Sequence, residues 1–83
     1  MIEEVGEEID VIARFQDGKI TPVKFRWGGR TYFVVRVPFR WLSREGEHPQ
    51  FHFSVTATSG DIFELKLDSR RMRWGLEKVM IEG

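Results

Sequence analysis

Cysteine is absent from the 83 residues. That excludes a disulfide scaffold and a thiolate zinc site. It also fits a reducing compartment, so a cytoplasmic protein is expected. Long apolar runs are absent too. No stretch approaches the roughly 20 apolar residues of a membrane-spanning helix, and no membrane partner is predicted. The opening Met1–Glu8 is acidic and lacks the apolar run of a secretory leader. It reads as a disordered tail, followed by a single β domain over residues 9–83. A chain of this size buries only about 60% of its unfolded surface.

Recognisable chemistry is equally scarce. Gly28-Gly29 is not followed by a helical pattern, so it lacks the helix N-terminus of a phosphate loop. No serine stands in a nucleophile elbow. His48 and His52 are the two histidines, separated by Pro49, with Glu45 and Glu47 as the nearby carboxylates. Zinc needs three or four converging ligands, so these read as surface histidines. Glu64 and Asp68 flank Lys66 and read as solvated cross-strand charges. The sequence therefore predicts a non-catalytic module with no metal and no cofactor.

What is present is alternation. Apolar residues recur at every second position, the period of a strand. The runs are Ile9 to Phe15, Val23 to Trp27, Phe33 to Trp41, Phe51 to Ala57, Phe63 to Leu67, and Trp74 with Leu76, then Val79 and Ile81. The last run changes phase, which predicts a bulge near Gly75 or Lys78. Six short runs joined by tight turns predict an all-β fold. The expected form is a six-stranded antiparallel meander making a small barrel or a strongly curved sheet.

Glycine closes each of Gln16-Asp17-Gly18, Trp27-Gly28-Gly29 and Thr58-Ser59-Gly60. Three-residue hairpin loops there set odd positions opposite odd positions. Val11 would face Val23, Val23 would face Phe33, Val55 would face Phe63, and Phe53 would face Leu65. A two-residue Gly28-Gly29 turn would set Lys24 against Phe33, so it is disfavoured. Phe25, Phe33, Trp41, Phe53 and Trp74 are then expected in the core. A further turn is expected around Asp68-Ser69-Arg70-Arg71, and a longer connection over residues 43–49.

Net charge is zero, but its distribution is uneven. Residues 1–17 hold six acids and one base; residues 18–44 hold seven bases and no acid. Neighbouring strands of opposite sign that neutralise each other would account for this. The alternative is an electrostatic footprint. In the odd-inward register, Lys24, Arg26, Arg30, Tyr32, Val34, Arg36 and Arg40 share the outer face of the central hairpin. Lysine and arginine suit phosphates and Tyr32 suits a base. Lys24, Arg26, Arg30, Tyr32, Arg36 and Arg40 are thus the candidate nucleic-acid contacts. The near-neutral isoelectric point of 6.7 argues against a dedicated nucleic-acid binder. The competing expectation is a protein-interaction module, with a protein partner or a homodimer engaged through a sheet edge or the 43–49 loop. The acidic segment Glu3 to Asp10 is also expected to lie along the basic hairpin and compete with anions.

The run Pro22-Val23-Lys24-Phe25-Arg26-Trp27-Gly28-Gly29-Arg30-Thr31-Tyr32-Phe33-Val34-Val35, with Trp41, Phe51 to Val55, Gly60 to Leu65 and Trp74, resembles a family of small bacterial β domains of unknown function. Some members stand alone, and some lie at the C-terminus of proteins similar to Y-family (translesion) DNA polymerases. The resemblance covers residues 9–80. It implies a context in DNA damage tolerance and transfers no catalytic or ligand-binding residue.

Overall fold

The computed structural model describes residues 1–81. The strands are β1 (Ile2–Gln16), β2 (Lys19–Trp27), β3 (Arg30–Glu45), β4 (His48–Ala57), β5 (Ile62–Asp68) and β6 (Arg73–Met80). Each pairs antiparallel with the next, and β1 returns to pair with β6. The all-β meander is therefore closed into a ring. Among the described residues there is no helix long and apolar enough to cross a membrane.

Closure corrects the expected tail. Residues 2–8 form the first half of β1, with Ile2 opposite Met80 and Glu8 opposite Gly75. Their acidic composition hides the strand, because this half of β1 lies largely exposed. The predicted domain's last two residues, 82 and 83, lie outside the described residues.

The second half of the chain follows the predicted register. Val55 faces Phe63 and Phe53 faces Leu65. Leu76 faces Leu65 while Lys78 faces Glu64, so one extra residue, Glu77, sits in β6. That is the bulge expected near Gly75 or Lys78. The core is built mainly here: Val55, Phe63, Leu65, Leu76 and Val79 are buried, together with Phe25 from β2. Each such side chain contributes roughly 1.5–3 kcal/mol by leaving water.

The first half does not follow it. Gln16 faces Lys19 and Trp27 faces Arg30, so both turns hold two residues. Asp17, Gly18, Gly28 and Gly29 all have positive φ. This is the type I′ geometry, whose twist matches that of the flanking strands and which favours Asp-Gly and Gly-Gly. In β1–β2 a register shift after Ile12 brings Val11 opposite Phe25, so odd residues meet again. In β2–β3 no such shift occurs, and Lys24 faces Phe33. Tyr32 and Val34 consequently turn inward and pack on the core. Phe33 and Val35 stand 52% and 58% exposed. The expectation that Phe33 and Trp41 belong to the core is overturned; Phe25 and Phe53 are in it.

Two further register shifts, between Val34 and Arg36 and between Arg36 and Phe39, bend β3. Past Lys24↔Phe33, β2 and β3 no longer pair. Pro22 and Pro38 lie in the parted stretches, where neither can donate to a ladder. The predicted 43–49 loop is also corrected. β3 and β4 stay paired to Glu45↔His48, leaving Gly46-Glu47 as a two-residue turn.

Candidate nucleic-acid interface

The six candidate contacts separate into two groups. Lys24 and Arg26 lie on the outer face of β2, opposite Phe33 and Thr31. Arg36 lies opposite Thr56 on β4. These three are exposed. Arg30, Tyr32 and Arg40 belong to the other face. Tyr32 stacks on Phe25 at 5.2 Å and lies 4.9 Å from Phe63. It is a core ring and has no face free for a base. The Arg30 guanidinium sits over the Tyr32 ring at 5.4 Å. Arg40 is opposite Phe53, with its guanidinium 5.6 Å from that ring. It donates to the Ile20 carbonyl and, at 3.0 Å, to Thr21 Oγ1, spanning the gap between β2 and β3.

Sequence reasoning missed the aromatic residues that do face outward. Phe33 stands beside Lys24, whose Nζ is 5.8 Å from its centroid. Phe39, opposite Ser54, and Trp41, opposite His52, follow on the outer face of β3. Both are exposed. The Gly-Gly pair was the signal for the exposure of Phe33, since a two-residue turn exchanges the faces of the strand residues next to it.

The acidic residues do not neutralise this surface. Among the described residues the ion pairs join Glu8 to Arg73 at 2.9 Å, Glu77 to Lys66 at 3.3 Å, Glu45 to Arg70 and Arg71, and Asp68 to Arg71 at 2.7 Å. None involves a base from residues 18–44. Asp10 lies opposite Arg26, and Glu64 borders Phe39 and Trp41 across β4. The acidic half of β1 lies against β6, so its expected competition for the basic hairpin is corrected as well. Asp68 is held far below the usual carboxylate range, first by the Arg71 side chain and then by Gln50 and the Arg70 and Arg71 amides.

His52 stacks on Trp41 at 5.2 Å with the rings 7° from parallel. Its Nε2 is 2.7 Å from Ser43 Oγ, and its Nδ1 is buried without a partner. An orphaned buried N–H costs more than an orphaned lone pair, so we assign the proton to Nε2, which donates to Ser43. In that tautomer His52 has no lone pair aimed at the serine hydroxyl. The pair ties β3 to β4. Burial also pushes His52 below the ordinary histidine value, with Glu64 and Glu77 opposing and Lys66 adding to the shift. Among the described residues no three His, Asp or Glu side chains gather as metal ligands.

Between the β1–β2 and β3–β4 hairpins lies a cleft of about 440 Å³, lined by Phe15, Ile20, Arg40, Leu42, Phe51 and Phe53 among others.

Comparison with protein-family models, curated proteins and solved structures found no match. The resemblance noted above thus rests on its own residues.

Proposed function

We infer that the chain is a non-catalytic module that binds single-stranded nucleic acid along the outer face of β2 and β3. One observation carries this reading: Phe33, Phe39 and Trp41 are exposed beside Lys24, Arg26 and Arg36, none of which has a carboxylate partner among the described residues. Cations meet phosphates, while rings stack on bases of any sequence at about 1–3 kcal/mol per base. The resemblance to domains found beside Y-family polymerases adds DNA damage tolerance as a context. The lack of cysteine fits a cytoplasmic setting.

Fluorescence anisotropy with short single-stranded and duplex DNA and RNA tests the reading. Single strands should bind better than duplex. Three phosphate contacts should give a log–log salt slope of about −2. Phe33→Ala and Arg36→Glu should each weaken binding. No binding at low salt, or binding indifferent to both changes, overturns the reading.

A protein-interaction module draws on the same exposed rings. The end strands no longer favour it, because β1 and β6 pair with each other. A stoichiometric protein partner recovered without nucleic acid would select it.

A further inference from the structure

We propose that the cleft between the two hairpins is a binding site for a small amphiphile with an apolar body and one anionic head, such as a long-chain or aryl carboxylate. The site rests on inward-facing side chains and not on the nucleic-acid reading, although Trp41 borders both this cleft and the outer face of β3.

The argument begins with misplaced apolar surface. Phe15 is opposite Ile20, and Leu42 is opposite Phe51. Phe51 is two residues from the buried Phe53, so it shares that side of β4. These side chains extend the inward-facing rows of the ring past its last closed level. Yet Phe15 is 74% exposed and Leu42 is 63% exposed. The two hairpins hold these walls apart, because β2 and β3 have separated. The space between them, about 440 Å³, falls within the range of roughly 300–1,000 Å³ typical of ligand pockets.

Charge gives the polarity of the ligand. Arg40 and Lys19 line the cleft, and no carboxylate among the described residues does. Arg40 is held in advance: Ile20 and Thr21 take two of its hydrogen bonds, and Phe53 lies beneath its guanidinium. A guanidinium has five N–H donors, so donors remain for an anion. Fixing the cation beforehand lowers the cost of binding. An added peptide strand suits this site poorly. Pro22 and Pro38 lack donors, and the Ile20 carbonyl already accepts from Arg40.

The test uses 8-anilinonaphthalene-1-sulfonate as the anionic probe and N-phenyl-1-naphthylamine as its uncharged counterpart. Fluorescence titration of the full chain should show saturable one-to-one binding of the sulfonate, tighter than the amine by about tenfold, roughly one hydrogen bond to a charged group. Dodecanoate should displace it, and dodecyltrimethylammonium should not. Arg40→Gln should bring the sulfonate down to the affinity of the amine. Because Arg40 also braces β2 against β3, a second variant guards the test. Phe15→Asp lies at an exposed hairpin end and should weaken the sulfonate by at least about tenfold, by loss of apolar contact and by repulsion. Phe33→Ala lies outside the cleft and should leave probe binding unchanged while weakening single-stranded DNA binding, so failure of this site and failure of the nucleic-acid face are distinguishable. Equal affinity for both probes, non-saturable binding, or indifference to Phe15→Asp overturns the proposal.

Discussion

At the scale of the residue, His52 shows how one burial decision reaches both stability and chemistry. Its ring is covered by Trp41, and desolvation disfavours its charged form. The unfolded chain takes up this proton near the ordinary value of about 6.5, and the folded chain does so only at lower pH. Between the two, the unfolded state binds more protons, so stability falls as pH falls through that window. Above about 6.5 the effect vanishes. Urea denaturation from pH 7.5 to 5 should show this decline, and His52→Gln should flatten it. An unchanged slope in the variant would mean that the ring is not buried in solution. Tyr32 makes the complementary point. Its chemistry suits stacking on a base, but its position spends that capacity on Phe25 and Phe63.

At the scale of the element, the two turns of the first half govern which side chains meet water. Gly28 and Gly29 have φ of 59° and 78°, a region that costs L-residues roughly 1–2 kcal/mol. Gly29→Ala should therefore destabilise the fold by about 1–2 kcal/mol in chemical denaturation. An unchanged midpoint would mean that the turn is not type I′. The strands themselves were legible from alternation, as were β4–β5 and the extra residue of β6. The β2–β3 register was not. Phe25, Trp27, Phe33 and Val35 are all odd, and pairing apolar with apolar across the turn looks favourable locally. The backbone twist of a Gly-Gly turn outweighs that preference, and Phe33 is left outside with Lys24.

At the scale of the whole molecule, the ring closes through the acidic strand. Removing residues 1–8 should unpair β6 and leave it as an open edge, which invites aggregation. Thermal melting with size-exclusion chromatography should then show lost cooperativity and higher-order species. A truncated chain that melts unchanged would restore the view of this segment as a tail. The candidate surface was partly legible at this scale. The run of bases from Lys19 to Arg44 is evident in the sequence. Its division into Lys24, Arg26 and Arg36 outside and Arg30 and Arg40 over inner rings is not, because two register shifts in β3 separate residues that a regular strand would keep on one face.

The number of strands, their antiparallel order and the core of the second half are legible in the sequence alone, though not where β1, β3 and β4 begin or end. Period-two alternation and local turn chemistry suffice for those features. The closure of β1 on β6, the parting of β2 from β3, and which arginines share the outer face emerge only in three dimensions. Those depend on pairings between distant residues and on single-residue shifts that invert a strand's faces, and a local pattern carries no record of either.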